Sequence, residues 1–291
     1  MRSLLFVPGD SPRKLDKAMG AGADVLLVDL EDSVAPTAKA AARATAAAFL
    51  AEAVKATPRP RLYVRVNPLS SGLIDDDLAA VMRGAPDGIL LPKACGGRDV
   101  THLDAKIAVR EAMEGLPDGA TGILALATAT AASLFAVGTF QGASRRLRGL
   151  PWGAEDLSAD LGASRQRGPD GRFTDTFRLA RSLCLAGAVA AGVAPIDAVY
   201  PAFRDLDGLA AEARDAAADG FTAKLAIHPD QVAVINAAFM PSEAEIAEAR
   251  RVLAAFAAAG EGAGVVALDG GMLDRPHRLR AERVLARAGL A

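Results

Sequence analysis

Eight short β-rich apolar runs, separated by Ala-rich amphipathic stretches, set what this chain can fold into. The runs cover residues 3–7, 25–28, 62–66, 88–91, 123–127, 147–150, 198–202 and 224–227. Helical patterns lie between them, among others at 12–20, 36–56, 75–83, 130–137, 175–190 and 206–217. Strands that alternate with helices predict an α/β fold with a parallel sheet. Eight such repeats in 291 residues predict a closed (β/α)8 TIM barrel. A doubly wound sheet has the same periodicity, because periodicity does not report closure.

The residues that follow each run carry the functional signal. They are Pro8-Gly9-Asp10, then Asp29-Leu30-Glu31-Asp32, then Asn67 after Arg65 within the third run, then Pro92-Lys93. Glu155-Asp156 follows the sixth run, Arg204-Asp205 the seventh and His228-Pro229 the eighth. In a barrel the C-terminal ends of the strands converge on one mouth, where active sites lie. One such cluster is explained by a helix cap. Six or seven on one face are better explained by a site.

The densest signal is Leu150-Pro151-Trp152-Gly153-Ala154-Glu155-Asp156-Leu157, which holds the only Trp. Two adjacent carboxylates after a turn are costly to bury unpaired. They suit a divalent cation, because Mg²⁺ takes one or two carboxylates and keeps waters or substrate oxygens. They also suit the first turn of a helix. The fifth run behaves differently. It continues through Thr128-Ala129-Thr130-Ala131-Ala132-Ser133 without a charge.

Composition excludes several classes. The chain is 51% hydrophobic and 23% charged, with net charge -2, which predicts a soluble globular protein. Near-neutral charge leaves no footprint for nucleic acid or an anionic membrane. The apolar stretches are too short to span a bilayer, and the N-terminal run is too short for a signal peptide. Two cysteines, Cys95 and Cys184, suit a reducing cytoplasm. The histidines and cysteines show no zinc spacing. Gly264 to Gly271 fits neither dinucleotide nor P-loop spacing.

Ser242-Glu243-Ala244-Glu245 is a capping-box signal for a helix over Glu243–Ala258. A short strand at Val265–Leu268, a turn at Asp269-Gly270-Gly271 and a last helix over 274–288 follow. The chain thus divides into a barrel over residues 1–240 and a C-terminal extension over 241–291. That extension is expected to cover an active site, its own or a neighbouring subunit's.

Seven motifs in order carry a family resemblance. They are Phe6-Val7-Pro8-Gly9, Asp29-Leu30-Glu31-Asp32-Ser33-Val34, Val64-Arg65-Val66-Asn67, Leu91-Pro92-Lys93, Gly153-Ala154-Glu155-Asp156-Leu157, Ala226-Ile227-His228-Pro229 and Met272-Leu273-Asp274. Together they resemble the HpcH/HpaI aldolase superfamily, in the citrate lyase β-subunit-like branch that includes malyl-CoA and citramalyl-CoA lyases. The resemblance implies Mg²⁺-dependent cleavage of an acyl-CoA, of the malyl-CoA, β-methylmalyl-CoA or citramalyl-CoA type, to a smaller acyl-CoA and a 2-oxo acid. Some relatives also hydrolyse the thioester. It implies a homotrimer or hexamer.

By the same resemblance Asp156 is a metal ligand, and Glu155 with Asp156 borders the 2-oxo acid. Arg65 clamps the substrate carboxylate. Phe6, Lys17, Ile227 and His228 border the CoA. Asp274 transfers a proton, and Asp32 joins Arg65 and Asp274 in the catalytic set. Arg13 and Lys93 lie near the CoA path. The chemistry suits these residue types, since a guanidinium pairs bidentately with a carboxylate and an acid such as Asp274 can exchange a proton at the acyl α-carbon. Plainer roles fit some of them. Lys17 and Arg13 suit a solvated helix, and His228 suits a cap on the helix after the eighth run.

The chain departs from the family at one position. Relatives carry Glu after the fifth strand, and the alignment through Thr130-Ala131-Ala132-Ser133 puts that metal ligand at Ala129. Three accounts fit a methyl group there. It is an introduced inactivating change, or Glu31, Asp32 or Glu155 serves the metal instead, or the barrel is a catalytically silent CoA-thioester-binding protein. The β-subunit of a multi-subunit citrate lyase is a further alternative for the scaffold.

Overall fold

The computed structural model describes residues 1–260 and 263–290. Eight parallel strands close into a barrel in chain order. They are β1 (Ser3–Pro8), β2 (Val25–Asp29), β3 (Arg61–Arg65), β4 (Gly88–Leu91), β5 (Gly122–Ala125), β6 (Leu147–Pro151), β7 (Ala194–Asp197) and β8 (Ala223–Ala226). Helices α1 (Pro12–Met19), α2 (Lys39–Ala53), α3 (Ile74–Val81), α4 (Gly97–Glu114), α5 (Ala131–Leu134), α6 (Ala154–Leu161), α7 (Asp175–Ala190), α8 (Leu206–Asp219) and α9 (Asp230–Ala238) follow the strands. Closure settles the choice between barrel and open sheet.

The period-2 alternation of a strand explains the interior. Leu4, Val25, Leu27, Tyr63, Leu90, Leu124, Ile196 and Leu225 pack together as its buried core, with Phe6 against them. The same parity carries Asp29 and Arg65 inward at the strand ends, where they are register partners on β2 and β3. The polar layer at the mouth is therefore the last layer of the barrel's own packing.

The seventh strand differs from the sequence expectation. It occupies Ala194–Asp197, and residues 198–202 form the loop to α8. Pro195 hid it, because proline demotes a run as a strand signal. Here the Pro195 carbonyl still accepts from Thr222 N–H, so the ladder to β8 survives.

Outward-facing residues of β7 and β8 form a buried charge network. Lys224 Nζ donates to Asp197 Oδ2 at 2.7 Å and to Glu212 Oε1 at 3.0 Å. Arg181 Nε and Trp152 Nε1 both donate to Asp197 Oδ1, at 3.1 and 2.8 Å. Burial opposes the Asp197 charge, but Lys224 and Arg181 outweigh it and hold this carboxyl below its usual range. The network ties the end of β6, just before Glu155 and Asp156, to the adjoining wall.

The chain divides into two compact units, Met1–Asn236 and Ala237–Ala291. In the second, α10 (Glu243–Ala258) opens on a capping box between Ser242 and Glu245. Strands β9 (Val265–Leu268) and β10 (Gly271–Asp274) pair antiparallel. Asp269 and Gly270 join them, both at positive φ, which is the type I′ geometry that Asp-Gly favours. Helix α11 (Arg275–Arg287) follows, and Val252, Phe256, Val266, Ala281 and Leu285 form this unit's core. No helix among the described residues is long and apolar enough to cross a membrane.

Removing one partner of a buried ion pair strands the other, at a cost of about 3–5 kcal/mol. Lys224→Met is expected to lower unfolding free energy by that order in urea, followed by Trp152 fluorescence. Pairing it with Asp197→Leu should recover part of the loss.

Candidate active site

Arg65 is the hub of the barrel mouth. Its Nε and Nη2 donate to Asp29 Oδ1 and Oδ2, both at 2.7 Å. Its Nη1 lies 2.9 Å from Glu31 Oε2 and 3.7 Å from Asp32 Oδ2. The Glu31 contact is an ion pair without hydrogen-bond geometry, so Oε2 is a buried acceptor with no hydrogen bond. The guanidinium also sits 4.6 Å from the centroid of the Phe6 ring. Asp29 thus fills the bidentate edge of Arg65, and Nη1 is turned to Glu31.

Lys93 links the second half of the cluster. Its Nζ donates to Glu31 Oε1 at 2.8 Å and lies 3.7 Å from Asp32 and 3.6 Å from Asp156. The residue holds a left-handed backbone, φ 50°, which is uncommon outside glycine and marks a strained position. Four carboxylates thereby share two cations, and the network carries an excess of negative charge. Its floor is braced by the backbone: Lys39 Nζ donates to the Leu30 and Glu31 carbonyls, both at 2.7 Å. Asn67 Nδ2 donates to the Leu30 carbonyl at 3.1 Å and to buried Asp77 at 2.7 Å.

The ionisation states follow from this packing. Burial pushes the Glu31 carboxyl up to about 7, against the pull of Arg65 and Lys93. Burial also raises Asp156, with Asp32 adding to it and Lys93 opposing. Asp29 goes the other way, because pairing with Arg65 outweighs its burial. Burial works against the Lys93 charge, but Glu31, Asp156 and Asp32 outweigh it and hold the ammonium above its ordinary value.

Asp156 and Glu155 stand in the first turn of α6, after the Gly153 turn. The pair opens a helix, and Asp156 turns toward Lys93. A Cβ placed on Gly153 would lie 3.5 Å from both the Ala129 methyl and Asp156 Oδ2. Ala129 and Asp156 thus flank one point of the mouth, and Ala129 brings no donor to it. Among the described residues there is no group of three or more His, Cys, Asp or Glu side chains arranged for a metal. One carboxylate in an anionic surround still matches Mg²⁺, which binds protein through one or two carboxylates and takes its other oxygens from water or substrate. The residues present fit the ion, which Asp156 would hold.

Other expected residues fall elsewhere. Glu155 accepts from Gln166 Nε2 at 2.6 Å, on an exposed face away from Lys93. Ile227 and His228 stand at the end of β8, where His228 Nδ1 accepts from the Asp230 N–H at 3.3 Å, a local cap. Lys17 and Arg13 are exposed on α1. Asp274 belongs to the second unit, where it caps α11 and lies 2.6 Å from His277 Nδ1. Lys93, expected near the CoA path, sits among the acids. Asp29 was passed over as a site residue; its direct register pairing with Arg65 is visible only in the folded barrel.

Residues 2–229 match the HpcH/HpaI aldolase/citrate lyase family. The chain belongs to that family. Residues 176–290 match C-C bond lyases of the TIM-barrel fold. A citrate lyase subunit beta-like protein of Mycobacterium tuberculosis is 39% identical over 99% of this chain and 95% of its own length. A (3S)-malyl-CoA thioesterase of Cereibacter sphaeroides is 38% identical over 99% of this chain and 94% of its own. The structure of CitE from Mycobacterium tuberculosis with magnesium, acetoacetate and coenzyme A superposes with a TM-score of 0.79, at 37% identity, covering 99% of this chain and 98% of that one. Family membership makes this barrel a member of a lyase family.

The Glu31 carboxyl tests the electrostatics directly. Its folded-state value, about 7, lies above its ordinary 4.5, so its stabilising contribution is full below pH 4.5 and lost as pH rises through 7. The unfolding free energy of the native chain minus that of Glu31→Gln should therefore fall between about pH 4.5 and 7, then level off. Urea titrations of both at pH 4.5, 6 and 8 check this. A flat difference contradicts the burial argument.

Proposed function

We propose that this chain is built as a Mg²⁺-dependent acyl-CoA carbon–carbon lyase of the malyl-CoA, β-methylmalyl-CoA or citramalyl-CoA type. The observation that carries this reading is the single cluster that brings Arg65, Lys93 and Asp156 together at the mouth of a family barrel. Relatives whose names are (3S)-malyl-CoA thioesterase and citrate lyase subunit beta support it.

The reaction begins with loss of the proton on the 3-hydroxyl. The bond between the hydroxyl-bearing carbon and the acyl α-carbon then breaks. One fragment leaves as a 2-oxo acid, and the other is a thioester enolate that takes a proton at its α-carbon. Arg65 Nη1 and Lys93 attract the substrate carboxylate, and Asp29 keeps the guanidinium in one orientation. Buried Glu31, whose carboxyl is pushed up to about 7, can in its carboxylate form accept the hydroxyl proton. Asp274 remains, on the family resemblance, the acid for the α-carbon, carried by a segment that covers an active site in a trimeric assembly. Mg²⁺, held by Asp156, would polarise the 2-oxo carbonyl. Exposed Cys95 and buried Cys184 are both free thiols, which supports a reducing, cytoplasmic setting.

Ala129 favours a second reading, that of a silent CoA-thioester-binding protein. It is buried beside Asp156 and offers a methyl where the family has a ligand. The two readings separate on cleavage of (S)-malyl-CoA, with and without Mg²⁺, by this chain and by Ala129→Glu. Loss of a group that acts on developing charge costs about 10²–10³ in rate, so Ala129→Glu should be faster by that order and saturate at lower Mg²⁺. If neither chain turns over while CoA thioesters bind both, the binding-protein reading stands and the lyase reading falls.

A further inference from the structure

Asp156 rides on a helix that has little of its own to hold it. Helix α6 is eight residues long, and its N-cap, Gly153, supplies no side-chain hydrogen bond. A helix so short is marginal in water by itself. Its direction is therefore set by what precedes it and what touches it. Gly153 packs against the residues that follow β5, where a Cβ would lie 3.1 Å from Leu126 Cδ2.

Six side chains close a ring behind this helix. Trp152, fully buried, donates from Nε1 to Asp197. Lys224 joins Asp197 to Glu212. Arg167 Nη2 lies 2.7 Å from Glu212 Oε2, and its guanidinium sits 3.8 Å from the centroid of the Phe173 ring. Phe173 meets Trp152 edge to face, with centroids 5.1 Å apart and planes at 66°, which completes the ring. A buried indole N–H needs one acceptor, and a backbone carbonyl would serve. Here the acceptor is a carboxylate already fixed by Lys224 and Arg181.

The ring holds α6 at two points. The first is Trp152, four residues before Asp156, whose backbone also bridges Ala127. The second is the hairpin that carries Arg167 and Phe173, which face each other as an antiparallel bridge. Thr174 N–H donates to the Gln166 carbonyl at 2.9 Å, and Gln166 Nε2 holds Glu155 Oε2 at 2.6 Å. Asp156 follows Glu155 directly, so one closed circuit fixes the chain before it and the residue beside it.

We propose that Trp152 and Arg167 are positioning residues for Asp156, acting through this ring. The proposal rests on the reading of Asp156 as the residue that holds the metal. It gives the aromatic and charged groups between β6, β7 and α8 a task at the mouth, which none of them is required to touch.

The test uses the full chain and two readouts. Mn²⁺ in the presence of pyruvate, followed by the paramagnetic resonance of the free ion, reports Asp156. Amide hydrogen exchange over residues 154–161 reports α6 without any metal. Trp152→Phe keeps a ring against Phe173 and removes the N–H, and Arg167→Leu opens the circuit at the hairpin. Each should weaken Mn²⁺ about tenfold, the low end for a group that orients a metal ligand, and should speed exchange in α6 but not in α4. Arg146→Met is the control. It breaks the pair with Glu111, 2.7 Å apart just before β6, and costs stability without touching the ring. Unchanged exchange in α6, or an Arg146→Met loss of Mn²⁺ affinity as large as that of Trp152→Phe, would overturn the proposal. If Mn²⁺ binds all four chains equally, the positioning role fails and the metal reading of Asp156 stands. If the native chain binds no Mn²⁺ while α6 loosens in both ring variants, the metal reading fails and the positioning role stands.

Discussion

The Arg65–Asp29 pair is the interaction on which the barrel mouth depends. A guanidinium at the top of a closed barrel is partly stripped of water, and a carboxylate beside it is stripped further. Neither is tolerable alone. Register pairing of β2 with β3 brings the two side chains face to face, and the fork geometry of arginine lets one edge meet both Asp29 oxygens. Once that edge is satisfied, Nη1 is fixed in direction and meets Glu31. Lysine in place of Arg65 would offer one point charge and could not serve Asp29 and a ligand in defined directions.

The rest of the cluster follows from that anchor. Glu31 is buried between Nη1 and the Lys93 ammonium, with one oxygen hydrogen-bonded and the other only ion-paired. Lys93 accepts a left-handed backbone to reach it. Strain, an incompletely satisfied acceptor and shared charges in one place signal a site kept for chemistry, because each feature costs stability and none improves packing. The buried network on the outer side of β7 and β8 contrasts with it. There Asp197 has three donors on its two oxygens, and the result is rigidity.

The fold was legible because helix spacing and strand ends leave periodic traces, while closure of the barrel had to come from the structure. Seven strands stand near their expected places, and Asp175–Ala190, Glu243–Ala258 and Val265–Leu268 match to the residue. The seventh strand was displaced because Pro195 masks it, and no local propensity reports that a barrel neighbour will still use its carbonyl. At the site, motif order named Arg65, Asp156 and the acids after β2. It could not show that Asp29 occupies the Arg65 fork or that Lys93 turns toward Asp156. Those facts depend on side-chain direction and on register between strands that are distant in sequence, and neither is written in spacing.

Ala129 separates two requirements of a metal site at the position where the family resemblance places a carboxylate. A metal site needs a field that favours a cation and donors that grip it. The field is long-ranged and comes from Asp29, Glu31, Asp32 and Asp156 together, so one methyl group alters it little. The grip is short-ranged and local, and at Ala129 it is absent. Lys93 gains from the change, because its ammonium lies 3.6 Å from Asp156 and competes for the same carboxylate. On the proposed reading, a divalent ion at Asp156 would have to outbid a tethered cation, unless a substrate brings its own oxygens. On the proposed reading, such a mouth would still attract anionic acids through Arg65 and Lys93, and its hold on a metal would depend on the bound substrate more than on the protein.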